Sequence, residues 1–171
     1  MFKVLDEICK PKRGSKYSAY IDLFAREDVT ISVGGTILVP LGVKINITNN
    51  WIREHLDKGF FNPRAEERKD WFLKSHYLEV VIEKSLALQG LLIPNGINII
   101  SLDCPDEINI LVHKPYSERT VRETIMMQKV QENSGDFERY NIESHFNTHF
   151  IEMGSKVAQC TIKEHKGYLL M

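Results

Sequence analysis

Asn95 and Gly96 mark the place in this chain best suited to holding a ligand. Pro94 fixes its own φ and Asn-Gly tolerates positive φ, so Pro94-Asn95-Gly96 reads as a tight turn with the Asn95 backbone and carboxamide at an exposed tip. Such a tip offers donors and acceptors together and can read a polar ligand. Ser101, Asp103, Cys104, Asp106 and Glu107 follow closely. Of the three carboxylates, Asp103 is the nearest that strand alternation puts on the face of Ser101. Farther away, Asp22 and Gln159 are polar residues inside apolar runs, while Lys84 and Lys156 supply positive charge. Their plainer readings are an edge carboxylate, a strand amide bonded to a neighbouring backbone, and two solvated lysines. His145 and His149 can share one metal ion only on a helix, because on a strand four residues separate them by roughly 13 Å.

The elements that must position these groups are mainly strands. Leu86, Leu88, Leu91 and Ile93 before the turn, and Ile97, Ile99 and Ile100 after it, predict a β-hairpin within residues 83–112. Short alternating strands are predicted at 2–5, 18–24, 30–33 and 36–47. Residues 49–76 break this rhythm: Asn50 is the expected cap of a short helix that Gly59 stops, and Pro63 opens a second helix over 65–74. The charges of Glu66 to Asp70 suit a solvated face of that helix, and Trp71-Phe72-Leu73 suit docking on the β-structure, from where the insertion can cover a pocket. Residues 115–147 are expected to form a protruding β-hairpin, with Asn133-Ser134-Gly135-Asp136 as its turn.

Four stretches carry a resemblance to the trimeric dUTPase and dCTP deaminase superfamily. Asn95-Gly96-Ile97-Asn98-Ile99-Ile100-Ser101 is similar to its uracil-reading segment Asn-Gly-x-Gly-Val-Ile-Asp. Glu83-Lys84-Ser85-Leu86-Ala87 resembles its second motif, Arg-Ser-Gly/Ser-Leu-Ala, without a gap between the two. The run from Ala19 through Tyr20, Ile21, Asp22, Leu23 and Phe24 to Ala25 resembles the first motif, followed by a Val39-Pro40-Leu41-Gly42 strand of the family's kind. Gly154-Ser155-Lys156-Val157-Ala158-Gln159 resembles the fourth. The glycine-rich fifth motif is missing, apart from a remnant at Lys166-Gly167-Tyr168.

The resemblance implies a mainly β fold, a distorted jelly-roll barrel formed by a single domain over 1–171 with insertions at about 49–77 and 115–147. It also implies a homotrimer with nucleotide pockets between subunits. The ligand-binding set it carries over is Asp22, Lys84, Ser85, Asn95, Gly96, Ile99, Ser101, Cys104, Lys156 and Gln159. Asn95 takes the place of the pyrimidine-reading asparagine, and Gln159 that of a phosphate-contacting glutamine. Ser101 replaces the aspartate that activates water, Glu83 the motif-two arginine, and Cys104 the tyrosine that packs on deoxyribose. A neutral serine cannot act as the general base, whose loss costs about two to four orders of magnitude in rate. Asp103 is the candidate substitute. The catalytic glutamate of the deaminase branch falls on Leu111.

The expected protein is therefore a nucleotide-binding, catalytically degenerate homologue that binds or sequesters a nucleotide or nucleotide-derived ligand, as a phage counter-defence protein would. The alternatives are an active dUTP diphosphatase with Mg²⁺ and a structural or regulatory trimer with an empty pocket. Composition narrows the partners further. A net charge of −1 gives no footprint for a nucleic-acid polymer, and no apolar run is long enough to span a bilayer. The first ten residues lack a signal-peptide pattern, and Cys9, Cys104 and Cys160 are an odd, scattered set, so reduced thiols in a cytoplasmic setting are expected. The insertions are where a protein partner would be sought.

Overall fold

The computed structural model describes residues 1–57, 64–116 and 148–165. Ten strands and three α-helices follow one another along these residues. β1 (Phe2–Val4) leads through a 3₁₀ turn (Glu7–Cys9) to β2 (Lys12–Arg13), β3 (Ile21–Phe24), β4 (Val29–Ser32) and β5 (Thr36–Ile45). Helices α1 (Asn49–His55) and α2 (Ala65–Ser75) come next, then β6 (His76–Ile82) and α3 (Lys84–Leu88). β7 (Asn98–Ser101), β8 (Glu107–His113), β9 (Thr148–Ile151) and β10 (Lys156–Glu164) complete the order.

All strand pairing is antiparallel. One sheet runs β1-β5-β8, a second β2-β3-β10-β6-β7, and a third pairs β4 with β9. The expected mainly β architecture is present, but among the described residues the sheets do not close into one barrel. Leu23, Ile31, Leu41, Leu78, Ile110, Val112 and Val157 fill the space between them and are essentially inaccessible to water. Each such side chain contributes about 1.5–3 kcal/mol relative to an exposed position.

Two backbone irregularities aim the side chains that matter. β10 carries a bulge between Lys156 and Ala158, so the consecutive Val157 and Ala158 both face the core while Lys156 and Gln159 both face outward. At Gly42, φ is +62° and an added Cβ would lie 2.6 Å from the Cys9 side chain, so only glycine fits where β5 passes the 3₁₀ turn.

Several sequence expectations are corrected. The arm before the Pro94-Asn95-Gly96 turn is not a strand: residues 84–88 form α3, and Leu92 pairs with His113 of β8, so no hairpin joins the two arms. Short apolar runs do not distinguish strand from helix, and Lys84-Ser85-Leu86-Ala87-Leu88 is rich in helix formers. The cap of α1 is Thr48, whose hydroxyl accepts from Trp51 N–H at 3.1 Å, rather than Asn50. β6 starts at His76, directly after α2. Gly59, the hairpin expected over most of 115–147, His145 and the 166–168 remnant lie outside the described residues. His149 lies on strand β9.

Candidate functional site

The site residues are distributed over the outer face of the five-stranded sheet. Antiparallel partners point to the same side, so the register defines rows. One row holds Ser101, Tyr77 and Lys163; the next Ile99, Glu79 and Thr161; the next Val81, Gln159, Asp22 and Lys12. From the Tyr77 row to the Val81 row is four residues along β6, about 13 Å. β7 and β10 are also two strand spacings apart, roughly 10 Å. Ser101 and Gln159 thus occupy opposite corners of one face, and a single chain does not bring them together.

The corner at the Ile82 end joins motifs one, two and four into one network. Gln159 Nε2 donates to Asp22 Oδ1 at 2.7 Å. Lys156 Nζ lies 3.2 Å from Glu83 Oε1 and 3.8 Å from Asp22 Oδ1. Both the N–H and the hydroxyl of Ser85 donate to Glu83 Oε2, so this carboxylate also caps α3. Glu83 is 8% exposed and counts among the buried charged residues. Burial acts to raise its pKa, yet the Ser85 and Lys156 contacts outweigh it and hold the carboxyl below its ordinary value. Cys160, paired with Ile21 on the core side of the sheet, is pushed up to about 12 by burial and then by the Asp22 charge, which keeps it a thiol. Lys84 points into solvent and is not part of the network.

The opposite corner is open. A cavity of about 670 Å³ is lined by Ile99, Ser101 and Asp103, by His76 and Tyr77 of β6, by His165, and by Asp70, Leu73 and Lys74 of α2. Asp70, Leu73 and Lys74 are spaced i, i+3, i+4 and share one helix face, which the insertion turns toward Ser101. His76 is fixed from behind. Its ring stacks on Phe72 at 4.3 Å, and its Nδ1 lies 2.8 Å from Ser75 Oγ and 3.2 Å from the Phe72 carbonyl. The Ser75 hydroxyl donates to the Trp71 carbonyl at 2.7 Å, which leaves its oxygen, like the Phe72 carbonyl, to accept from His76 Nδ1–H.

The remaining expected residues fall between and beyond these corners. The turn is present, closed by Gly96 N–H donating to the Ile93 carbonyl at 2.8 Å with Gly96 at φ +80°. Asn95 is exposed there, but beyond the Asn98 end of β7, whereas Ser101 is at the other end, about 10 Å further along the strand. Cys104 is half-buried in the loop after β7, its N–H donating to the Ser101 carbonyl at 3.1 Å. Leu111 faces outward from β8, paired with the equally exposed Leu38 of β5. Among the docking aromatics, Trp51 and Phe72 pack together at 5.4 Å, whereas Trp71 is half exposed. Sequence reasoning missed His76, Tyr77 and His165; that the insertion could cover a pocket was expected, and Asp70, Leu73 and Lys74 are the α2 residues that line it. Among the described residues no three His, Cys, Asp or Glu side chains come together as ligands.

No protein-family model and no curated protein matches this chain. Solved structures do. The chain superposes on a dUTPase from Streptococcus mutans with a TM-score of 0.56 at 19% identity, covering 95% of this chain and 94% of that one. The dUTPase of Staphylococcus bacteriophage 80alpha gives 0.63 at 16% identity, over 100% and 93%. A dUTPase mutant from phage phi11 of S. aureus, solved to show coordination of a structural Mg(II) ion, gives 0.63 at 14% identity over 100% and 94%. The chain therefore has the dUTPase-like jelly-roll fold.

Proposed function

We propose that this protein binds a nucleotide or nucleotide-derived ligand and does not hydrolyse it. The observation that carries this reading is the position of Ser101. It walls the open cavity at the point where the family resemblance calls for a carboxylate, and a hydroxyl cannot take a proton from water at neutral pH. A binder that holds its ligand without turnover sequesters it. Phage dUTPases among the structural neighbours, one of them solved with the nucleotide analogue dUpNHpp, support placing the ligand class among nucleotides.

The reading includes assembly. Asn95, Ser101 and Gln159 cannot meet within one chain, so a site that uses all three needs neighbouring copies, arranged as a homotrimer. The exposed Leu38–Leu111 pair and Leu92 supply apolar surface for such contacts. A solution mass equal to one chain by light scattering removes this part of the reading. For the ligand, calorimetry with uridine and deoxyuridine compounds should show binding that Asn95→Ala weakens by about 1–3 kcal/mol, five- to more than a hundredfold. Binding indifferent to Asn95→Ala contradicts the role given to the turn.

A second reading is favoured by one observation: Asp103 also lines the cavity and has the carboxylate that Ser101 lacks. An active dUTP diphosphatase would use Asp103 as its base, with Mg²⁺ arriving on the substrate phosphates. In that case Asp103→Asn abolishes dUMP release from dUTP; under the leading reading there is little release to abolish.

A further inference from the structure

We infer that Glu83 is a specificity-determining residue that bars phosphate groups from the Ile82 corner, so that the ligand is a nucleoside or a conjugate lacking a polyphosphate. The inference rests on the reading that the chain binds a nucleotide-derived ligand, and it specifies which part of such a ligand the protein accepts. Phosphate recognition requires convergent donors with positive charge in reach. On this face the donors that converge are Ser85 N–H, Ser85 Oγ–H and Lys156 Nζ, and all three already meet the Glu83 carboxylate. The nearby amide of Gln159 is likewise spent on Asp22. A buried carboxylate thus takes the bonds that a phosphate oxygen would need.

The charge count points the same way. Lys156 is the cation that meets both Glu83 and Asp22, so these three side chains together carry one net negative charge and leave Lys156 no unpaired charge to offer an incoming anion, with Lys12 opposite Asp22 as a further cation. A phosphate must also displace Glu83 from the three partners it holds, and loses that network in doing so. A neutral sugar hydroxyl meets no such penalty, because it can donate to Asp22 through Oδ2, the oxygen that Gln159 and Lys156 do not meet. The corner that disfavours phosphate therefore tolerates a donor-rich, uncharged end on the ligand.

The test is a calorimetric charge series on the full chain with deoxyuridine, dUMP and dUTP, in the unmodified protein and in Glu83→Gln. Affinity should fall as phosphates are added, with deoxyuridine about tenfold or more tighter than dUTP, and the difference should shrink as salt is raised. Glu83→Gln should move the deoxyuridine-to-dUTP ratio toward dUTP by about tenfold. Should Glu83→Gln fail to fold, the charge series and its salt dependence in the unmodified protein decide the matter alone. Tighter binding of dUTP than of deoxyuridine overturns the inference while leaving the nucleotide-derived reading standing. Absence of binding by all three probes overturns both.

Discussion

At the Ile82 end of the outer sheet face, Asp22, Glu83, Lys156, Gln159 and Ser85 all have partners on their own chain. At the His76 end, Asp70, Lys74 and Asp103 line a cavity and make no ion pair or side-chain hydrogen bond among the described residues. The two corners share a sheet, a face and a similar mixture of charged and polar groups. Their difference is one of commitment. Polar groups that satisfy one another stabilise the fold and must be broken apart before they can serve a ligand, whereas uncommitted groups around an open volume can bind without that cost. Family motifs alone would have ranked the first corner as the better site; the hydrogen bonds reverse the order.

The largest expected effect comes from changing the open corner. Ser101→Asp returns a carboxylate to the cavity wall and should raise the yield of dUMP from dUTP by about a hundredfold, the lower range for supplying a general base. If the yield stays flat, Ser101 is not at the reacting end of any bound ligand. In the committed corner, Lys156→Ala leaves Glu83 and Asp22 facing each other without their cation. Because the Lys156 side chain is 36% exposed, solvent screens part of this, and the expected loss is about 1–2 kcal/mol in urea unfolding. Lys74→Ala, at the open corner, should change stability by less than about 0.5 kcal/mol. Equal losses in the two variants would erase the comparison.

The smallest expected effect is a pH dependence. The folded-state pKa of Glu83 is depressed, so its network contributes stability that is present above the unfolded value, near 4.3 for a free glutamate, and is lost as pH falls through the folded value. Unfolding free energies of the unmodified protein and Glu83→Gln should differ at pH 7 and converge as the solution is acidified below about pH 4. A gap that widens toward acid would assign Glu83 the opposite sign.

Much of this architecture was legible in the residues, and the exceptions have physical causes. The β5 strand, α2 and the outward placement of Gln159 on β10 follow from apolar spacing, helix formers and motif position. The supposed strand at 86–93 failed because five residues of mixed apolar pattern fit helix and strand alike, and the Glu83 cap that decides between them is a side-chain contact. The mutual pairing of Asp22, Lys156 and Gln159 depends on β3 and β10 being neighbours across more than a hundred residues of chain, which no local pattern encodes. The cavity was hinted at by the charged face of α2, but its volume is a product of how that helix docks through Phe72 and His76.

The central claim about the chemistry is that the unmodified protein does not hydrolyse dUTP, and phosphorus NMR of dUTP incubated with stoichiometric unmodified protein and Mg²⁺ tests it most directly. The account predicts that the three triphosphate resonances persist and that pyrophosphate does not accumulate over hours. Conversion of dUTP to dUMP and pyrophosphate at an enzyme's pace would contradict it and give the cavity, with Asp103 as its base, to catalysis.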